Sequence, residues 1–271
     1  MHGIGNDFVM VDAIRTSMDG RDLPDLARRM CHRRFGIGAD GLILSERGSQ
    51  APFRMRMFNP DGSEAEMCGN GIRCLAKLLR EHGHTTDRSV SVETGAGTLV
   101  LELLEDGRVR VDMGLARLER GAIPVDGDPS ETFVGEPVKV SDELCLLGTA
   151  VSMGNPHLVF FVEDAAATPV EEWGPVFERH SLFPNRINVH FVQVVDGENL
   201  IQRTWERGAG LTMACGTGAC ASAVAAHLNG LCGRKVRVRL PGGSLDIEYR
   251  EDGRVFMSGP AEIAFEGAWW E

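Results

Sequence analysis

Two cysteines stand in nearly duplicate surroundings, Met67-Cys68-Gly69-Asn70-Gly71 and Met213-Ala214-Cys215-Gly216-Thr217-Gly218, each at the expected mouth of an apolar helix. A helix start offers N–H groups without intrahelical partners and about half a positive charge, so an anion docks there readily. The glycines let a ligand approach the backbone, while Asn70 and Thr217 can cap the helix or add a side-chain donor. The same field favours thiolate over thiol, relative to a reference pKa near 8.5. An anion site beside an ionisable thiol suits proton transfer at the carbon next to a carboxylate. Two such mouths converging on one ligand across a cleft would invert a stereocentre. One thiolate takes the α-proton from one face, and the opposite thiol returns a proton to the other.

The elements that must position these thiols are duplicated as well. A helix-ending glycine follows each cysteine at the same distance, at Gly83 and Gly230, and an aromatic precedes each by the same interval, at Phe58 and Trp205. Val90 to Val109 aligns with Val236 to Val255, including Glu-Asp-Gly-Arg-Val at 105–109 and again at 251–255. Gly5-Asn6 and Gly154-Asn155 occupy matching places upstream. The reading is two pseudo-symmetric α/β (α+β) domains, residues 1–115 carrying Cys68 and 116–271 carrying Cys215, with the last strand free to pack on the first domain. Strands are expected at 8–11, 42–44, 53–58, 157–162, 190–195, 200–205, 236–240, 245–249 and 255–257, and a first helix at 22–33. In 219–228 small apolar residues occupy nearly every helical position, which suits a helix enclosed by strands. Ile72 to His82 is the equivalent helix, with a polar end at Lys77, Arg80 and Glu81. Each domain therefore wraps a mixed sheet around a central helix.

Composition narrows the partners. The 271 residues carry a formal net charge of −11 and no basic run longer than two residues, which argues against nucleic acid. No segment is long and apolar enough for a membrane span, and the first residues do not read as a signal peptide, so a cytoplasmic location is expected. Seven cysteines are an odd number, and a reducing compartment keeps them as thiols. Cys74 and Cys220 sit at unequal spacings from their neighbours and read as core, as do Cys31, Cys145 and Cys232. Neither cysteine pair has the short ligand spacing of a zinc site, so no metal is expected there. The chain's three lysines, Lys77, Lys139 and Lys235, read as strand or helix-surface residues, so no pyridoxal phosphate is expected, and Gly36 to Gly41 reads as a turn. No cofactor is called for.

Seven motifs together resemble the diaminopimelate epimerase family over nearly the full length. They are His2-Gly3-Ile4-Gly5-Asn6-Asp7-Phe8, Arg34-Phe35-Gly36-Ile37-Gly38-Ala39-Asp40-Gly41, Phe58-Asn59-Pro60-Asp61-Gly62-Ser63, the Cys68 motif, Gly154-Asn155-Pro156-His157, Trp205-Glu206-Arg207-Gly208 and the Cys215 motif. The resemblance implies a homodimer that converts LL-2,6-diaminoheptanedioate into the meso form. Cys68 would be proton donor and Cys215 acceptor in that direction. It further implies that Asn6, Gly69, Asn70, Gly216 and Thr217 hold the reacting end of the substrate. Asn59, Asn155, Asn188, Glu206 and Arg207 would read the distal amine and carboxylate, with His157 and Glu206 tuning the thiols. The chemistry agrees, since a guanidinium suits a carboxylate and a carboxylate suits an ammonium. Gly41 stands where some members have glutamine, so that side-chain contact is absent. Family chains also have a short strand before the His-Gly motif, and an upstream extension is expected to raise the melting temperature.

Four rivals remain, one of them a zinc or redox protein that metal analysis of the purified protein would decide. A proline-racemase-like two-thiol enzyme need not recognise a second charged end, and Glu206-Arg207 favours the longer diacid. A phenazine-biosynthesis-type isomerase lacks the paired cysteines. A non-catalytic amino-acid-binding protein of the same fold would bind without exchanging the α-hydrogen.

Overall fold

The computed structural model describes residues 1–270. Two compact units divide the chain: Met1–Asp112 with a returning tail from Ser258, and Met113–Met257.

The first unit holds, in chain order, β1 (His2–Gly3), β2 (Asn6–Asp7), β3 (Val9–Asp12), α1 (Leu23–Cys31), β4 (Leu42–Arg47), β5 (Phe53–Phe58), β6 (Glu64–Ala65), α2 (Gly69–Glu81), β7 (Ser89–Thr94), β8 (Gly97–Leu103) and the start of β9 (Val109–Leu115). The second holds β10 (Glu136–Lys139), β11 (Cys145–Ser152), β12 (Pro156–Phe161), α3 (Val170–Glu178), β13 (Asn188–Asp196), β14 (Asn199–Glu206), β15 (Gly210–Thr212), α4 (Gly216–Leu228), β16 (Lys235–Leu240), β17 (Gly243–Tyr249) and β18 (Arg254–Gly259). Pairing makes the internal repeat explicit. β3 and β4 are parallel, β4 and β5 antiparallel, β6 pairs back on β5, β5 and β7 are parallel, and β7 and β8 antiparallel. The series β12, β13, β14, β15, β16, β17 repeats that pattern of directions step for step. The strands of each unit pair both parallel and antiparallel, as expected for a fold in which each parallel pair needs a crossover.

Local chemistry explains the helices. Asp22 caps α1 by accepting a hydrogen bond from the Asp25 N–H, Pro24 sits in its first turn, and Leu23, Leu26, Ala27 and Met30 form its buried face. α2 ends where Gly83 adopts φ 72°, a left-handed conformation that lets the His84 N–H return to the Leu79 carbonyl. α4 is built from alanine, glycine, serine, cysteine and valine and is buried from Gly218 through Ala226, packed against β11, β12, β13, β14, β16 and β17. Side chains this small let backbones pack closely on every side, and an added methylene there would cost about 1–3 kcal/mol in overpacking.

The sequence pattern left 163–187 without an element, yet α3 lies there. It is the crossover that parallel β12 and β13 require, in the place α1 holds between β3 and β4. Its Phe177 packs with Phe160 and Phe191 in an aromatic core that also includes Phe133 and Phe183. At roughly 2–3 kcal/mol for each buried aromatic, that packing outweighs the breakers Gly174 and Pro175 inside the helix. Among the described residues, no helix is long and apolar enough to cross a membrane.

Candidate active site

Cys68 and Cys215 are the residues immediately before α2 and α4, both in extended conformation, and neither helix start carries a side-chain cap. The first turns of both helices thus begin with a thiol followed by glycine. Asn70 does not cap α2. Its Nδ2 donates instead to Asn6 Oδ1 at 3.1 Å, an oxygen that also lies 3.7 Å from Cys68 Sγ. The other end of the Asn6 amide donates to Asp40 Oδ2 at 2.7 Å, and Arg33 bridges Asp40 and Asp7 at 2.7 and 2.8 Å. Burial alone would raise the Asp7 carboxyl, but Arg33 holds it below its ordinary value. This network fixes which way Asn6 faces, so its carbonyl oxygen is the atom presented to the thiol. Asn59 lies in the turn after β5, its N–H donating to the Ser63 carbonyl at 2.8 Å and its Nδ2 to Ser63 Oγ at 2.9 Å.

In the second unit one polar chain runs from the thiol into the core. Cys215 Sγ lies 3.8 Å from Thr217 Oγ1, which Asn155 Nδ2 approaches at 3.4 Å. Asn155 Oδ1 is 2.9 Å from His157 Nε2, and His157 Nδ1 is 2.9 Å from His190 Nε2. His190 Nδ1 ends the chain on Thr204 Oγ1 at 3.0 Å, with Gln202 beside it. The parallel register of β12 and β13 brings the two imidazoles together, since His157 is opposite Asn188 and Val159 opposite His190. Burial keeps both rings neutral. It pulls His190 down to about 3, and His157, close to His190 and Arg207 as well, falls far below its ordinary value. Gly218 sits over this pair. A Cβ there would collide with the His190 ring and come within 3.0 Å of Cys215 Sγ, so only glycine fits.

Glu206 is the last residue of β14 and Arg207 follows it directly. The short β15 hairpin returns Thr212 to donate to Glu206 Oε1 at 2.7 Å. Asn188, buried, donates to the Pro156 carbonyl and accepts the Arg207 N–H, each at 2.9 Å. Arg207 Nη1 donates to the Asn185 carbonyl at 2.9 Å. The structure therefore joins Asn6, Cys68, Gly69 and Asn70 around one helix start, and Asn155, His157, Asn188, Glu206, Arg207, Cys215, Gly216 and Thr217 around the other.

The ionisation state of Cys215 differs from the sequence-based expectation. Burial, with the Glu206 carboxylate beside it, pushes the thiol well above its ordinary range, outweighing the Gly218 N–H and the Thr217 hydroxyl that favour thiolate. Desolvation of a charge costs more than half a helix charge returns. Because Glu206 acts on the thiol by charge, Glu206→Gln is expected to move Cys215 ionisation to lower pH. Thiolate ultraviolet absorbance in a Cys68→Ala background reads this directly, and an unchanged titration would show that Glu206 has no hold on the thiol.

His190, Gln202 and Thr204 were not expected at the site. Their signal is present in the sequence as the alternation His190, Val192 and Gln202, Thr204 along facing strands, but alternation alone cannot reveal which strand lies under α4. Cys74 and Cys220 are fully buried, as expected for core residues. Burial pushes the Cys74 thiol up to about 12. Among the described residues a single group of potential metal ligands occurs, Asp12, His82 and His84, with both histidines just past the carboxyl end of α2.

Comparison with known proteins agrees with this geometry. The sequence model of the family described as diaminopimelate epimerase matches residues 1–119 and 149–264. The diaminopimelate epimerase of Moorella thermoacetica is 57% identical over 272 residues, covering 98% of this chain and 96% of the relative. That of Pelotomaculum thermopropionicum is 53% identical with the same coverage. Among solved structures, a Bacillus anthracis phenazine biosynthesis protein of the PhzF family superposes with a TM-score of 0.68 at 18% identity, covering 96% of this chain and 92% of that one. A hydroxyproline epimerase from Agrobacterium vitis gives 0.62 at 15%, covering 96% and 86%. The two solved structures establish a shared fold, and the sequence matches establish more: the chain belongs to the diaminopimelate epimerase family.

Proposed function

We propose that this protein is a cofactor-independent isomerase that epimerises LL-2,6-diaminoheptanedioate to the meso form, in lysine and peptidoglycan precursor synthesis, by proton transfer between Cys68 and Cys215. The observation that carries the reading is the duplicated arrangement of a thiol at an uncapped helix start followed by glycine, on two units of one topology. The N–H groups of the two helix starts, with Asn6, Asn70 and Thr217, receive the α-carboxylate and stabilise the carbanion's charge as it spreads into that group. In the LL to meso direction Cys215 removes the α-proton and Cys68 delivers one to the opposite face. Since Cys215 rests as a thiol, its proton must leave first, and Glu206 is the carboxylate beside it that can accept it. Asn59, Asn155, Asn188, Glu206 and Arg207 address the distal amine and carboxylate, with Asn188 setting the Arg207 backbone. The working assembly is a cytoplasmic homodimer whose protomer consists of epimerase domains 1–115 and 116–271, with the tail from Ser258 packing on the first domain.

The test is incubation of the purified protein with LL-diaminopimelate in heavy water without added cofactor. Deuterium at one α-carbon accompanied by meso product supports the reading. Binding without exchange would make the protein a carrier, and equal turnover of proline or glutamate would overturn the substrate while leaving the two-thiol chemistry in place.

A further inference from the structure

We propose that Asp12, His82 and His84 form a binding site for one divalent transition-metal ion, separate from the thiols. The three side chains come from the end of β3 and from the carboxyl end of α2, and their ligand atoms all lie within 4.8 Å of one another. His82 Nδ1 and His84 Nε2 are each 2.7 Å from the same oxygen, Asp12 Oδ2. Tetrahedral coordination at about 2.0–2.1 Å would set neighbouring donors about 3.3 Å apart, so entry of an ion needs only a small spreading of these contacts.

The surroundings suit a cation. Asp12 and His84 are nearly buried, and His82 is partly covered. The carboxylate is held through its other oxygen, Oδ1, which accepts the Arg15 N–H at 3.3 Å and the Ser45 hydroxyl at 3.4 Å. That leaves Oδ2 aimed at the imidazoles. The left-handed Gly83 folds the chain back so that both histidines stand at the negative end of the α2 dipole, where a positive charge is favoured. His82 presents its second nitrogen, Nε2, 3.8 Å from Glu266 Oε1, the outer carboxylate that ligating histidines commonly acquire. The Arg15 guanidinium lies 3.5 Å from Oδ2 and also donates to the His82 carbonyl; being 57% exposed, it can stay in the outer sphere or swing into solvent. Two imidazoles and one carboxylate select zinc, or iron, cobalt or nickel, over calcium or magnesium. Bound there, the ion would fasten the far end of the helix that begins at Cys68 to β3.

Chelator-treated protein titrated with cobalt(II) tests the site, followed by displacement with zinc. The expected result is one equivalent bound with ligand-field bands of nitrogen and oxygen donors and without a thiolate charge-transfer band, since all seven cysteines remain thiols that could otherwise capture the metal. Zinc should raise the melting temperature of the unaltered protein. His84→Ala should weaken binding by about 100-fold or more, while Cys68→Ala should bind as the unaltered protein does. No stoichiometric binding by the unaltered protein, a thiolate spectrum, or undiminished binding by His84→Ala would overturn the proposal.

Discussion

Cys68→Ala and Cys215→Ala are each expected to lower the rate of epimerisation by about 10³-fold or more, roughly 4 kcal/mol of lost transition-state stabilisation. The reason is stereochemical. Each face of the α-carbon is served by one proton-transfer group, and no second group can substitute from the same side. A variant retaining one thiol can still exchange the α-hydrogen of one epimer with solvent, without inversion. Cys74→Ala and Cys220→Ala should turn over within a few-fold of the unaltered protein, because both side chains are fully buried inside α2 and α4. They should lose about 1 kcal/mol of stability from the small cavity. Steady-state rates and solvent deuterium exchange on the four proteins separate these outcomes. Near-normal inversion by either helix-start variant would remove the two-thiol mechanism.

Mild acid is expected to destabilise the second unit through His157 and His190. Once unfolded, both imidazoles take up protons below about pH 6.5. In the folded state burial keeps them neutral, with His190 resisting protonation until about pH 3. Their contribution is therefore complete above about 6.5 and is lost progressively as the pH falls toward the folded value. Between pH 6.5 and 4.5 this amounts to about 2–5 kcal/mol, depending on whether the hydrogen-bonded pair shares one proton or takes none. Urea unfolding at both pH values, for the unaltered protein and a His157→Gln, His190→Gln double variant, isolates the effect from the carboxylates that titrate in the same range. The variant should lose less stability on acidification than the unaltered protein. Equal losses would mean that the buried rings do not stay neutral.

The paired helix-start thiols were legible in the sequence because that arrangement is local. A thiol, a glycine and an apolar helix lie within a few residues of each other, and the second copy of that arrangement at Cys215 shows that the first at Cys68 is no accident. The ends of α2 and α4 followed from Gly83 and Gly230 for the same reason. What stayed hidden depends on contacts between distant segments. α3 contains Gly174 and Pro175, and only the aromatic core that receives Phe177 makes it helical. His190 joined the site through the register of two parallel strands, a relation that no spacing along the chain records. The resting state of Cys215 was misjudged because a helix start is visible in sequence, whereas the burial that opposes it is not.

Unit 1 is discontinuous, and this sets an order of assembly during synthesis. Its residues to Asp112 emerge first, but its tail from Ser258 arrives only after Met113–Met257 has been translated. Hydrogen bonds of the first unit wait for that tail, including the Glu262 N–H donated to the His2 carbonyl at 2.9 Å. The His2 N–H donates to the Glu262 carbonyl at 2.9 Å, and Arg73, fully buried in α2, donates through Nε to the Pro260 carbonyl at 3.2 Å while its Nη1 holds the Gly69 carbonyl. A nascent chain therefore carries the helix behind Cys68 with its guanidinium still lacking the Pro260 acceptor until residues translated after the second unit complete the first. A chain cut short before Pro260 is thus expected to keep Cys68 on an incompletely bonded helix, which limited proteolysis of such a product would reveal as faster cleavage.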